Sequence, residues 1–162
     1  MDDRAPGRRL LSQRARQALL TAHIMMSVGL LGDSAGFLAV AVRASTIEDP
    51  GALVEHAKIL NMFSVVFGIP LSVGALLSGV ALGIGTKWGV FRYPWVTTKL
   101  VLIVSVMFVG GVFIGAAMAV VLAGSASGTS QLIAAASYDV VALAAATALS
   151  VFKPGRPFRL RS

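Results

Sequence analysis

Hydrophobic positions along this chain gather into four long runs separated by short polar connections. The runs cover roughly residues 18–42, 59–85, 96–123 and 132–152. Each is close to or longer than the roughly 20 apolar residues that an α-helix needs to cross a bilayer core. They are too long and uninterrupted for barrel strands, which have about 9–11 residues of alternating polarity. The pattern predicts an all-α integral membrane protein, an up-and-down four-helix bundle over residues 18–152. A basic arm (1–17) precedes this domain and a basic tail (153–162) follows it.

Composition narrows the class of protein further. Only 13% of the residues are charged, about half of the roughly 25% that is usual in soluble domains. With 162 residues the chain has room for one membrane domain and no separate soluble catalytic domain. It contains no cysteine, which excludes disulfides, a thiolate metal site and a thiol nucleophile. We assign no metal site and no reaction from composition.

The basic residues lie on alternate connections and predict the topology. The arm contains five arginines, and the tail contains Lys153 and three arginines. The second connection carries Lys87 and Arg92, with Lys99 at its far edge. The first connection balances its basic residues with three acidic ones, and the third, "GSASGTSQ", has no charge. By the positive-inside rule both termini are cytoplasmic. The net charge of +7 is then explained by topology and anionic lipid headgroups, and we expect no nucleic-acid partner.

The first run is expected to stay in the mature protein as a membrane helix. A cleaved signal peptide has an apolar region of about 7–15 residues, whereas this run is longer and contains Asp33.

Within the second run, Pro70 is expected to kink the helix because it removes one backbone donor. Trp88, Tyr93 and Trp95, around the second connection, fit an interfacial aromatic belt.

Glycines at a spacing of four mark candidate helix-packing faces. They occur as Gly32 and Gly36, Gly79 and Gly83, and Gly111 and Gly115. Lipid tails give no hydrophobic drive between helices, so small residues lie where backbones approach closely. These faces pack either within the four-helix unit or against a second copy of the chain.

Asp33 and Asp139 are the two acidic residues inside the apolar runs. At 1.5 Å per residue they lie about 13 Å and about 11 Å from the outer ends of the first and fourth helices, at one depth. These two helices are neighbours in an up-and-down bundle, so the carboxyl groups are expected to meet. They are expected to hydrogen-bond to each other or to Tyr138, Ser34 or Ser137. The pair either joins the helices or carries protons or a cation.

His23 is a candidate haem ligand, because neutral imidazole is a common axial ligand and four-helix bundles bind haem between facing helices. It lies early in the first run, and Lys99 opens the third run on the same predicted side. His56 is predicted near the opposite surface, too far away to share one iron with His23. The methionines are treated as apolar filler.

Two segments carry a family resemblance: "LTAHIMMSVGLLGDSAGFLAV" and "SGVALGIGTKWGVFRYPWVTTKLVLIVSVM". An early histidine, glycines late in the second run and a Trp-x3-Lys-Leu entry to the third resemble a bacterial membrane family defined as a domain of unknown function. That family belongs to the CopD-like superfamily, and the chain is more distantly similar to HemJ-type protoporphyrinogen oxidases. The resemblance covers about residues 20–111. It implies that His23 and Lys99 are functional and that the cofactor is haem b. The aromatic Trp-x-x-Gly-Leu pattern and the Pro-Arg pair of the HemJ-type first helix are absent here.

Three hypotheses of function follow. The first, which the sequence favours, is a non-catalytic protein of the bacterial inner membrane that packs with itself or with a membrane partner. The second is a haem b redox protein that uses His23. The third is a proton-coupled transporter that uses Asp33 and Asp139.

Overall fold

Four long helices make up the protein. The computed structural model describes residues 11–86 and 93–152, and no strand occurs among them. The helices are α1 (Gln13–Ala44), α2 (Pro50–Gly85), α3 (Pro94–Leu122) and α4 (Thr129–Phe152). All four spans are long and apolar enough to cross a membrane. The prediction of an all-α four-helix fold is confirmed. The first ten residues, residues 87–92 with Trp88, and the tail 153–162 lie outside the described residues.

The first two helices begin before the apolar runs because polar residues cap them. The Asp49 carboxylate accepts a hydrogen bond of 2.7 Å from the Ala52 N–H, and Pro50 occupies the first helical turn. Proline fits there because that position has no intrahelical N–H bond to lose. At α1, the Ser12 hydroxyl accepts a hydrogen bond of 3.3 Å from the Ala15 N–H. These caps satisfy backbone donors that the helices leave free.

α2 contains a π-helical turn immediately before Pro70, where the sequence predicts a kink. The turn covers Phe63–Gly68 and ends with the Ile69 N–H bonded to the Ser64 carbonyl, five residues back. Pro70 has no N–H for the Val66 carbonyl, and its ring crowds that carbonyl. A wider turn relieves this conflict by shifting the hydrogen-bond register.

α3 has a second π-helical turn, Gly110–Ile114, in which the Gly115 N–H reaches the Gly110 carbonyl. π-Helical turns are rare and frequently occur at functional sites. Both of these turns contribute to one cavity, which is described below.

The helices form a ring in which each contacts its two sequence neighbours and α4 closes on α1. We call the end that carries Gln13, Gly85, Pro94 and Phe152 the terminal end, and the opposite end the distal end. A tight connection joins α3 to α4 at the distal end, where Gly124 has a φ of +84°. This left-handed conformation favours glycine.

Buried side chains form two separate cores. The larger, the distal core, draws on all four helices and includes Phe37, Ala41, Leu53, Leu60, Ile114, Met118, Val121, Leu132 and Ala136. The smaller, the terminal core, consists of Leu30, Val106, Ala142 and Leu143. The terminal half is therefore less densely filled than the distal half.

Candidate functional site

A cavity of about 330 Å³ lies at the junction of the two cores, and we call it the aspartate cavity. Its walls include Leu30 and Val106 of the terminal core and Phe37 and Ile114 of the distal core. Asp33 of α1 and Asp139 of α4 both line it, although 106 positions (139 − 33) separate them along the chain. All four helices contribute to its wall.

The two carboxyl groups in this cavity are incompletely satisfied. Asp139 is buried, with a relative exposure of 6%. The Oδ1 atoms of Asp33 and Asp139 are both inaccessible to solvent and have no hydrogen-bond partner in the described part of the chain. A buried polar atom without a partner costs free energy, and an ionised carboxylate in hydrocarbon costs more. This arrangement therefore calls for protons or a cation at the carboxyl groups.

α2 contributes uncharged polar side chains to the same cavity, and its backbone approaches the Asp33 carboxyl group closely. Asn61, Ser64 and Ser72 line it. Gly68, the last residue of the first π-helical turn, lies so close that a Cβ atom built on it would be 3.3 Å from the Asp33 Oδ2. Residues of the second π-helical turn line the cavity from α3. Both irregular turns are thus part of the wall around the carboxyl groups.

The aspartate cavity opens between α2 and α3. Every exposed residue of its lining lies on one of these two helices, and these are Asn61, Val65, Ile69, Val73, Gly111 and Gly115. The lining residues of α1 and α4 are buried or half-buried. Asn61 thus places an exposed amide at the mouth, in the distal third of α2.

Tyr138 does not take part in this cavity. Its hydroxyl lies 2.6 Å from the Ser105 hydroxyl of α3, and 41% of the residue is exposed. It therefore bridges α3 and α4 on another face instead of binding its neighbour Asp139.

A second cavity, of about 520 Å³, lies in the terminal half, and we call it the terminal cavity. His23 of α1 and Lys99 of α3 both line it, together with Arg16. The remaining wall is mostly aliphatic and includes Leu20, Ile24, Val80, Leu100, Ile103 and Leu143. Its volume lies within the roughly 300–1,000 Å³ of typical ligand pockets.

The hydrogen bonds around His23 define its tautomer. Its Nδ1 lies 2.9 Å from the Ser78 Oγ, and that hydroxyl lies 2.6 Å from the Gly74 carbonyl oxygen. The single hydroxyl hydrogen of Ser78 is donated to the carbonyl, so Ser78 Oγ accepts from His23 Nδ1–H. Neutral His23 then carries a free lone pair on Nε2, the form of imidazole that binds metal ions. The ring also lies close to Gly79, where a built Cβ would be 3.1 Å from His23 Cε1.

Lys99 lines the same cavity from α3. Its Nζ donates a hydrogen bond of 2.6 Å to the Ser150 hydroxyl of α4. An ammonium group has three donors, so this contact leaves capacity for an anion. With Arg16, it supplies positive charge to a cavity that is otherwise mainly apolar.

The glycines singled out for helix packing have different surroundings. Gly36 approaches Phe63 of α2, with 3.0 Å from a built Cβ to the Phe63 ring. Gly79 approaches His23, as described, and Gly83 is buried. By contrast, Gly32, Gly111 and Gly115 are exposed and have no atom within 4 Å of a built Cβ.

The other histidine lies far along α2 from the terminal end. His56 Nδ1 is 2.9 Å from the Ala52 carbonyl oxygen, one turn before it in the same helix, and His56 lines neither cavity. Of the methionines, Met107 and Met118 line the aspartate cavity. None among the described residues lines the terminal cavity.

Several site residues have no counterpart in the sequence analysis. Asn61 and Ser64 reach the aspartate cavity, while Ser78 and Ser150 orient His23 and Lys99. Asn61 is a polar residue near the start of the second apolar run and was detectable for that reason. Ser78 and Ser150 could not be identified from the sequence, because serine hydroxyls in membrane helices usually bond to their own backbone.

A scan against models of known protein families, a search of curated proteins and a search of solved structures each found no match to this chain. The class of protein therefore rests on the fold and the two cavities. They define a multi-pass helical membrane protein with polar sites inside its four-helix bundle.

Proposed function

We propose that this protein binds an amphipathic anionic ligand in the terminal cavity, and that this ligand is haem b. The observation that carries the proposal is that His23 and Lys99, 76 positions apart (99 − 23), line one mostly apolar cavity. A metal-ligating imidazole and an ammonium group in apolar surroundings match an iron porphyrin with carboxylate arms.

The residues of the cavity fit that group. His23 has Nε2 free for iron because Ser78 binds Nδ1, and such a hydrogen bond to the second nitrogen is typical of metal-bound histidines. Lys99 and Arg16 offer charge for the carboxylates. Since no second histidine or methionine among the described residues lines the cavity, His23 would be the axial ligand from that part of the chain. When bound, haem b supplies one-electron transfer.

The resemblance to HemJ-type proteins supports the same two residues. On this resemblance we base the proposal that the chain binds haem and lies in a bacterial inner membrane with both termini in the cytoplasm. We do not base a proposal of the oxidase reaction on it. The missing Trp-x-x-Gly-Leu pattern and Pro-Arg pair belong to the first helix of those oxidases, and this chain has "VGLLGDSAGFLA" there.

An absorption spectrum of the detergent-purified full chain, with and without added haem, tests the proposal. The wild type should show a Soret band that saturates at one haem per chain. His23→Ala should abolish or strongly shift that band, and Ser78→Ala should weaken haem affinity by roughly 10-fold, as is common for residues that orient a ligand. His56→Ala is the matched control and should bind haem as the wild type does. Haem binding here would be disproved if the wild type showed no Soret band even with added haem. It would also be disproved if the His23→Ala spectrum were identical to a wild-type spectrum that has the band.

Self-association is a second candidate function, which a different observation favours. Gly111 and Gly115 lie four positions apart on α3, exposed and with open space around them. Exposed small residues at this spacing are where another membrane helix packs closely. Gly115→Leu should then convert an oligomer to a monomer in light-scattering measurements, whereas Val101→Leu, on an exposed part of the same helix, should not. A wild type that is monomeric in both detergent and lipid nanodiscs would exclude this candidate.

A further inference from the structure

The aspartate cavity contains two carboxyl groups, and the described residues supply no positive charge to neutralise them. Asp33 and Asp139 reach it from neighbouring helices, and each has a buried Oδ1 without a hydrogen-bond partner. Asp139 is more than nine-tenths buried. Asp33 lies ten residues along α1 from His23, roughly 15 Å at the helical rise, and no lysine, arginine or histidine in the described part of the chain lines the aspartate cavity. Two carboxylates in hydrocarbon are stable only when protons or a cation neutralise them.

The other groups around the carboxyls are those of a site for a hard cation. α2 presents the Asn61 amide and the Ser64 hydroxyl, and α1 presents Ser34. No titratable or charged side chain faces the pair from α2 or α3 in the described part of the chain. Among the described residues, no group of three or more His, Asp or Glu side chains could hold a metal ion, so the two carboxyl groups would need the amide and hydroxyl oxygens as further ligands. Carboxylate, amide and hydroxyl oxygens match alkali and alkaline-earth cations.

The irregular backbone at the cavity points in the same direction. Two of the four helices change register at this level, one before Pro70 and one at Gly110. π-Helical turns inside longer helices frequently occur at functional sites, and here both lie in the wall of the cavity that holds the carboxyl groups.

We propose that Asp33 and Asp139 form an intramembrane cation site that binds a small hard cation in exchange for protons. When the cation enters, a carboxylic O–H bond breaks and its proton leaves to water. The freed oxygen lone pair then coordinates the cation, and one proton is released for each positive charge bound. No oxidation takes place. Asp33 and Asp139 line only the aspartate cavity, and His23 and Lys99 only the terminal cavity, so the cation site is tested independently of haem binding.

Carbodiimide protection on the purified full chain tests this site. Dicyclohexylcarbodiimide modifies protonated carboxyl groups in apolar surroundings, and mass spectrometry quantifies the product at Asp33 and Asp139. The probes are the chlorides of Na⁺, K⁺, Mg²⁺ and Ca²⁺, compared with N-methylglucamine chloride at the same ionic strength. At ten times its dissociation constant, one of these cations should slow modification about 10-fold, since about a tenth of the sites then stay free.

Asparagine variants locate the effect without changing side-chain size. In Asp33→Asn and Asp139→Asn, the carboxyl that remains should lose its protection by the cation. Tyr138→Phe is the matched control, because its hydroxyl binds Ser105 outside the cavity, and it should keep full protection. If no cation protects, or if protection in both asparagine variants equals that of the wild type, the site does not exist and the pair is structural.

A second measurement covers the case in which the reagent does not reach the carboxyls. Addition of the binding cation to weakly buffered protein should release protons, detected with a pH indicator. Asp33→Asn/Asp139→Asn should release none. A wild type that releases no protons with any of the four cations overturns the proposal.

Discussion

The hydroxyl groups of Ser105 and Tyr138 lie 2.6 Å apart and connect α3 to α4. This hydrogen bond fixes the direction of Tyr138, so that its neighbour Asp139 is left without the partner that the sequence predicts. The consequence is chemical as well as structural. A tyrosine hydroxyl that could have satisfied the buried carboxyl is used for helix packing, and the carboxyl remains available to a ligand.

A double-mutant cycle measures the coupling of Ser105 and Tyr138. Hydrogen bonds between membrane helices contribute about 0.6 kcal/mol on average, and we expect a coupling free energy of that size from Ser105→Ala, Tyr138→Phe and the double variant. Unfolding in sodium dodecyl sulfate, followed by circular dichroism, provides the stabilities. Additive effects of the two substitutions would mean that the hydroxyls do not interact.

Asp139→Leu should stabilise the protein in buffer that contains no metal cation. The substitution removes a buried oxygen without a partner, for which we expect a gain of about 1–3 kcal/mol. Asp49→Leu is the contrasting control, because Asp49 caps α2 and its loss should cost about 0.5–2 kcal/mol. Both are measured by the same detergent unfolding. A loss of stability in Asp139→Leu would show that the carboxyl has a favourable partner in the folded protein.

Gly128→Ala should be strongly destabilising. A Cβ at this position would lie 2.7 Å from the Ala117 carbonyl oxygen and 2.9 Å from Val121 Cγ2, so that α3 and the start of α4 must separate. We expect a cost of about 1–3 kcal/mol, as for other overpacked sites. Gly32→Ala, at an exposed position of α1 with open space around it, should be neutral or stabilising by up to about 1 kcal/mol from helix propensity. Equal stabilities of the two variants would contradict this arrangement of α3 and α4.

Single-cysteine variants should reveal the orientation in the membrane. The chain contains no cysteine, so each variant carries one thiol. In right-side-out vesicles, an impermeant maleimide should label Ser45→Cys and Ser127→Cys at the distal end, because the basic terminal end stays inside. Gln13→Cys should react only after the vesicles are permeabilised. The opposite labelling pattern would reverse the predicted topology.

The existence and order of the helices were predictable because hydrocarbon imposes a length and an apolar composition on anything that crosses it. The first residues of α1 and α2 were not predictable from the apolar runs, since the caps at Ser12 and Asp49 extend these helices into polar sequence. The π-helical turn before Pro70 was predictable only as a kink. The one at Gly110 had no proline to mark it.

For the candidate sites too, the sequence identified individual residues but not their arrangement. Asp33, Asp139, His23 and Lys99 were recognisable individually because polar groups are costly inside a span. Which of them share a cavity depends on helix rotation, and a rotation of one residue turns a side chain by about 100° around the axis. Tyr138 illustrates this, since it immediately precedes Asp139 but bonds to Ser105 outside the cavity that Asp139 lines.

By itself, the sequence determined that four apolar helices span a membrane and that polar residues are placed within them, because both follow from the local free energy of transfer into hydrocarbon. The tertiary structure decided which polar residues share a cavity. It placed Asp33 and Asp139 in the wall of one cavity and His23 and Lys99 in the wall of another. These placements depend on how helix surfaces fit against one another, and the proximity of residues so distant along the chain is not encoded in any local pattern.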